Sequence, residues 1–281
     1  MSTLILKETR NIGDGTGYIS RAVADNRLVL SADKTLHDQN DGRLIRKIGV
    51  SVCSGCGIGC IYCFTRRFKD WRPLSVVEIV RQVEMIDSRR SLEQSGFDEV
   101  KISFKQMGDI SLNVDDTCQA IEQLHARWPF LHFVVSTSGL KNSELFVRLR
   151  QLHKQGIRLR LQFSCHTTSD KERNYLSPQM PMMTLAEIAE VANYWPGNRV
   201  TLNFVVMDGM TYDVSHLAKL FDKAKVFIKV NFLDDNRQLA KHGLTDASEQ
   251  KVRTFITDLR NRGFRFAFRH GSSLQEEQGS S

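Results

Sequence analysis

The sequence predicts an α/β fold, an incomplete (β/α)6 TIM-like barrel preceded by a short N-terminal β-hairpin extension. Two observations predict it. From Lys47 onward, short β-branched runs alternate with longer stretches whose apolar residues recur at helical spacing. Helix-start and helix-stop signals fall between those runs. Repeated strand-then-helix units build a parallel sheet, because parallel neighbours need a crossover and the crossover is usually a helix. A doubly wound open sheet is the alternative that the pattern leaves open. Both architectures put reactive groups at the carboxyl ends of the strands.

Residues 1–45 are rich in Gly, Asp and Asn around short apolar stretches such as Leu28-Val29-Leu30, and read as one or two hairpins. The barrel is expected over residues 46–271, with a disordered tail at 272–281. Its strands are predicted at Ile48–Val52, Val100–Phe104, His132–Ser136, Leu159–Phe163, Val200–Val206, Val226–Phe232 and Phe264–Phe268. Ser75 with Glu78, Thr184 with Glu187, and Asp246 with Glu249 have capping-box spacing, and Gly156 and Gly263 stand where helix C-terminal glycines belong.

The chain has 281 residues, 41% hydrophobic and 25% charged, a composition that excludes a disordered or membrane-spanning class. With no signal-peptide pattern at Met1, a cytoplasmic location is expected. Lys+Arg exceeds Asp+Glu by 39 − 32 = 7, which suits a polyanionic partner. Four of the six cysteines crowd between Cys53 and Cys63. That clustering reads as metal binding in a reducing compartment rather than a disulfide framework.

Within the cluster, Cys56, Cys60 and Cys63 form a Cys-x-x-x-Cys-x-x-Cys run with Tyr62 before the last cysteine. Three thiolates at this spacing can hold a cubane iron–sulfur cluster and leave its fourth iron without a protein ligand. A structural zinc site would use Cys53 as a fourth ligand. Zinc sites, however, usually separate two cysteine pairs by a dozen or more residues, and here only three separate Cys56 from Cys60.

At these residues the sequence resembles the radical S-adenosylmethionine (SAM) superfamily, and over roughly Lys47 to Gly271 it is similar to the RlmN/Cfr branch of ribosomal-RNA adenine methyltransferases. Cys63-Phe64-Thr65 through Arg72-Pro73-Leu74-Ser75, Met107-Gly108-Asp109, Ser136-Thr137-Ser138-Gly139, Ser164-Cys165-His166 with Asp170 and Arg173, and Val230-Asn231-Phe232 through Asn236 follow the order of that branch's motifs. The resemblance implies a [4Fe-4S] cluster on Cys56, Cys60 and Cys63, and SAM contacts from Met107, Gly108, Asp109, Ser136, Ser164 and Asn236. It also implies SAM cleavage to a radical that abstracts hydrogen, a reductant such as flavodoxin or ferredoxin, and an RNA or nucleotide substrate. The residues support several of these independently. Gly108 permits close backbone approach, Asp109 can accept from an ammonium, and Ser136, Ser164 and Asn236 bring polar groups to predicted strand ends.

The branch uses two further cysteines. One, just upstream of the cluster loop, corresponds to Gly49; the other, near the C-terminus, has no counterpart in this sequence, whose N-terminal segment is also shorter than the branch's RNA-binding domain. Methyl transfer is therefore not the expected outcome by default. Cys165, next to a SAM-contact candidate, and Cys53, three residues before the cluster run, are the candidate catalytic thiols. Cys118 lies at helical spacing with Val114, Ile121 and Leu124 and reads as core. Arg66, Arg67, Lys69 and Arg72 interleave with Phe68 and Trp71, a pattern that pairs with phosphate and stacks on bases, and are the substrate-binding candidates. Rival readings are a radical SAM enzyme acting on a small metabolite or peptide, and a non-catalytic iron–sulfur or zinc module.

Overall fold

In a computed structural model, which describes residues 3–37, 42–94, 96–197, 199–232 and 242–269, the alternation expected from Lys47 onward is present. The chain divides into two compact units, Met1–Gly57 with Thr65–Ser136 and Ser143–Leu159, and Ile58–Phe64 with Thr137–Asn142 and Arg160–Ser281.

In the first unit, β1 (Leu4–Asn11), β2 (Gly15–Ala22), β3 (Leu28–His37) and β4 (Leu44–Val50) form an antiparallel meander. The predicted hairpins are thus continuous with the main sheet. On its other side β4 pairs in parallel with β5 (Glu99–Phe104), and β5 with β6 (His132–Thr137). The helices α1 (Val76–Asp87), α2 (Val114–Arg127) and α3 (Ser143–Lys154) belong to this unit. Ile79, Val83 and Ile86 of α1 and Cys118, Ile121 and Leu124 of α2 are buried, which makes Cys118 the core thiol its spacing suggested. Burial pushes that thiol's pKa up to about 12.

In the second unit, β7 (Leu159–Ser164), β8 (Val200–Val205), β9 (Val226–Asn231) and β10 (Phe266–Arg269) pair in parallel in chain order. Between them run α4 (Asp170–Leu176), α5 (Leu185–Asn193), α6 (Val214–Leu220) and α7 (Glu249–Asn261). Phe163, Leu202, Phe204, Ile228, Phe255 and Leu259 fill its core, with the rings of Phe204 and Phe255 edge to face at 5.5 Å.

Both full capping boxes form, at Ser75 with Glu78 and at Thr184 with Glu187. The third start signal is displaced. Ser248, not Asp246, caps α7, because Asp246 is committed to an antiparallel bridge with Met207. Gly156 and Gly263 take the left-handed backbone expected after a helix, at φ 84° and 72°.

β4 starts at Leu44 rather than at the predicted Ile48, and the reason is Arg46. A charged residue argues locally against a buried strand, yet this one is fully buried. Its Nε and Nη2 donate to the two carboxylate oxygens of Asp33 on β3 at 3.0 and 2.9 Å, and Nη1 and Nη2 also donate to the carbonyls of Ser91 and Arg90 at 2.7 and 2.8 Å. Such a pair contributes little over an apolar substitute, but removing one partner strands a buried charge. Asp33→Ala should therefore cost about 3–5 kcal/mol in urea denaturation; a loss below about 1 kcal/mol, the range of a surface pair, would contradict the burial described.

Candidate functional site

The segment that leaves β4 toward the cysteines is clamped by its own unit. Gln82 of α1 accepts from the Ser51 N–H at 2.8 Å and donates to the Ser51 carbonyl at 2.9 Å. The Val52 and Cys53 N–H groups both donate to the Met107 carbonyl, at 2.9 and 3.2 Å, and Asn113 Nδ2 donates to the carbonyls of Val52 and Leu74 at 2.8 Å each. The Ser54 N–H donates to the Arg72 carbonyl at 2.9 Å. These bonds satisfy peptide groups that a buried loop would otherwise leave orphaned. Gln82 and Asn113 were not legible as site-building residues, since each acts through a contact remote in sequence.

Cys53 is fully buried against Gly108, where a Cβ would lie 2.7 Å from Cys53 Sγ. Gly108 also has φ 85°, so both space and backbone require glycine there. Burial, reinforced by the Asp109 carboxylate, pushes the Cys53 thiol up to about 12. The buried Met107 and Asp109 flank Gly108, and Asp109 Oδ1 accepts from the Ser111 N–H at 3.0 Å, capping a short 3-10 turn. Ser136, near the end of β6, has a buried hydroxyl with no hydrogen-bond partner among the described residues.

The aromatic and cationic run after the cysteines separates into two parts. Arg72 is held by two carboxylates, Nε to Asp25 at 2.6 Å and Nη2 to Glu78 at 2.8 Å. It acts as a strut. Trp71 lies beneath Gly55, where a Cβ would come within 2.7 Å of its own Cβ, and its ring also covers Gly57. Arg67 and Lys69 are exposed and Arg66 is half-buried.

Cys56 belongs to the first unit, and Cys60 and Cys63 to the second. There Cys60 Sγ lies 3.2 Å from Ser177 Oγ, and the Cys63 N–H donates to the Cys60 carbonyl at 3.1 Å. The Tyr62 phenol hydrogen-bonds Cys60, and desolvation together with the sulfurs of Cys60 and Cys63 raises its pKa, which keeps it a proton donor. Tyr62, Ser138, Ser164, Cys165, His166, Arg173, Leu176, Ser177 and Met182 line a small cavity. Burial pushes the Cys165 thiol up to about 11 against the opposing pull of Arg173. His166 has the left-handed φ of 62°, and burial followed by the Arg173 charge drives its pKa down to about 3. It is a neutral hydrogen-bond acceptor, taking the Val205 N–H on Nδ1 at 3.2 Å, with its ring edge to face with Tyr62 at 5.0 Å. Asn236 lies outside the described residues.

None of the six cysteines is in a disulfide, and among the described residues no three His, Cys, Asp or Glu side chains are grouped to hold a metal ion. The donor set nevertheless suits a thiolate-bound metal centre: three cysteines within eight positions, with the hydroxyls of Tyr62 and Ser177 already hydrogen-bonded at one sulfur.

No family model matches the chain. It is 27% identical over 234 residues to a probable RNA methyltransferase of Aromatoleum aromaticum, covering 82% of this chain and 63% of that protein. It is 26% identical over 249 residues to a probable dual-specificity RNA methyltransferase RlmN of Thermotoga neapolitana, covering 85% and 66%. The chain is related to the RlmN-like RNA methyltransferases. Each alignment spans just under two thirds of the relative's own length. A crystal structure of a radical SAM methyltransferase from Sphaerobacter thermophilus superposes with a TM-score of 0.78 at 21% identity, over 97% of this chain and 79% of the other. A structure of TYW1 with a bound lysine-pyruvate adduct follows at 0.56 and 11%, over 86% of each chain. The fold is therefore that of a radical SAM methyltransferase.

At the position where the resemblance places an upstream cysteine, Gly49 is covered by Gln106. A Cβ at Gly49 would overlap Gln106 Nε2 and lie 3.1 Å from both Cγ and Cδ. Glycine at 49 and glutamine at 106 thus form a fitted pair. Gly49→Cys should destabilise the protein by about 1–3 kcal/mol through overpacking. Adding Gln106→Gly should recover most of that loss in urea denaturation, and an equal loss in the single and double variants would show that Gln106 is not the obstacle.

Proposed function

We propose that this chain is a radical SAM enzyme that modifies RNA. The observation that carries the proposal is the kinship with RNA methyltransferases over more than four fifths of the chain, in which the cysteine run directly follows β4. Cys56, Cys60 and Cys63 would hold a [4Fe-4S] cluster. When bound, that cluster supplies the electron that cleaves SAM and starts hydrogen abstraction.

The remaining roles follow from the chain's own groups. Tyr62 and the Ser177 hydroxyl donate toward Cys60 Sγ, stabilising its thiolate form. Gly108 lets Cys53 pack against the turn that carries Met107 and Asp109, and Met107, Gly108, Asp109, Ser136, Ser164 and Asn236 are assigned as SAM contacts. The unpartnered Ser136 hydroxyl supports that assignment. Cys165 and Cys53 remain protonated at neutral pH, so they are assigned as sources of hydrogen rather than as nucleophiles. Arg66, Arg67 and Lys69 are assigned to the RNA backbone, and Arg72 to support of their loop. A one-electron donor of the flavodoxin or ferredoxin type would complete the system.

Whether a methyl group is the product is a separate matter. The Gly49 and Gln106 pair favours a course that needs no thiol at position 49. Among the described residues no helix is long and apolar enough to cross a membrane.

Anaerobic reconstitution with iron and sulfide should give a visible iron–sulfur absorbance and cleave SAM under strong reductant, and Cys60→Ala should lose both. Zinc uptake without a cluster would overturn the proposal. Neutralising Arg66, Arg67 and Lys69 together should weaken RNA binding and flatten its salt dependence by up to about three phosphate contacts, read as the slope of log K against log salt. An unchanged slope would remove these residues from the interface.

A further inference from the structure

Arg173 carries a buried charge that the described residues do not neutralise. The residue is 3% exposed. Among the described residues its guanidinium donates to main-chain carbonyls alone: Nη2 to Ser138 at 2.9 Å, Nη1 to Cys165 at 3.1 Å and to Ser164 at 3.3 Å, and Nε to Met183 at 3.4 Å. Among the described residues it forms no ion pair. The contrast with Arg46 is direct, since that equally buried guanidinium has a bidentate carboxylate. Carbonyl dipoles orient a cation but do not cancel its charge, and a buried cation without an anion is costly.

The groups that share the cavity with Arg173 include no carboxylate. Cys165 and His166 are each neutral there. A source of negative charge adjoins the residues that line the cavity. Ser177, one turn after Arg173 on the same helical segment, places Oγ 3.2 Å from Cys60 Sγ, and Tyr62 from the same wall hydrogen-bonds that sulfur. Three thiolates around an iron–sulfur core leave net negative charge, and that charge increases on reduction.

We propose that Arg173 is the buried counter-charge of the thiolate centre at Cys60 and Cys63, a positioning residue that favours the reduced form of the cluster and its retention. The proposal rests on the reading of the cysteines as cluster ligands. Because the interaction crosses a poorly solvated wall, it is screened less than a surface pair of equal separation.

The test is a reductive titration of the reconstituted protein followed by electron paramagnetic resonance. Arg173→Met should move the cluster midpoint to a more negative potential and speed iron loss to a chelator. Arg173→Lys, which keeps the charge but not the four-carbonyl fork, should stay near the wild type. An unmoved midpoint in Arg173→Met overturns the proposal. So does a lysine variant that falls as far as the methionine one, because stapling of carbonyls would then be the whole role.

If Arg173→Met does not fold, Met182→Glu brings a carboxylate into the cavity instead. It should raise the melting temperature of the metal-free protein and give a smaller rise, with a lowered midpoint, once the cluster is loaded. An equal rise in both forms overturns the proposal. A wild-type protein that forms no cluster fails earlier and removes the underlying reading with it.

Discussion

Everything proposed for this chain depends on the hydrogen bonds that hold residues 51–54 as they leave β4. A loop that carries thiols inward must bury peptide groups, and an unpaired buried peptide group costs about 1–3 kcal/mol. Gln82 from α1, Asn113 at the start of α2, the Met107 carbonyl and the Arg72 carbonyl together satisfy them. The bonds also link the loop to Gly108, whose lack of a side chain admits Cys53. One set of bonds therefore fixes the start of the cysteine run and places it beside the Met107 to Asp109 turn.

The two buried arginines show how similar groups come to serve different ends. Arg46 is paired within the protein and ties the antiparallel meander to the parallel strands through Asp33. Arg72 likewise spends its charge on Asp25 and Glu78, which separates it from the exposed cations beside it. Among the described residues, Arg173 spends none of its charge on a carboxylate. Its neighbours are a protonated thiol, a neutral imidazole and a phenol, groups whose own charged forms burial suppresses. A site arranged in this way leaves the guanidinium charge to balance the thiolate centre proposed at Cys60 and Cys63.

Much of the fold was legible because its signals are local. The Ser75 and Thr184 capping boxes depend on residues three apart, and the burial of Cys118 follows from helical spacing. Where partners are remote, local reading failed. Arg46 hid the first four residues of β4, since its carboxylate partner sits on another strand, and the bridge between Met207 and Asp246 moved the cap of α7 to Ser248. The site divides in the same way. Cysteine spacing and strand-end motifs named its candidates, but the roles of Gln82, Asn113 and Gln106 and the burial of Arg173 exist only once distant loops meet.

The central claim is that SAM-derived radical chemistry is directed at RNA. The most direct measurement incubates reconstituted protein with strong reductant, SAM, and RNA deuterated at its bases, then examines the 5′-deoxyadenosine and the digested RNA by mass spectrometry. The account predicts deuterium in 5′-deoxyadenosine and a mass change at one nucleotide. Cleavage of SAM that leaves both the 5′-deoxyadenosine and the RNA unlabelled and unchanged, while a small metabolite or peptide from cell extract is altered, would contradict it.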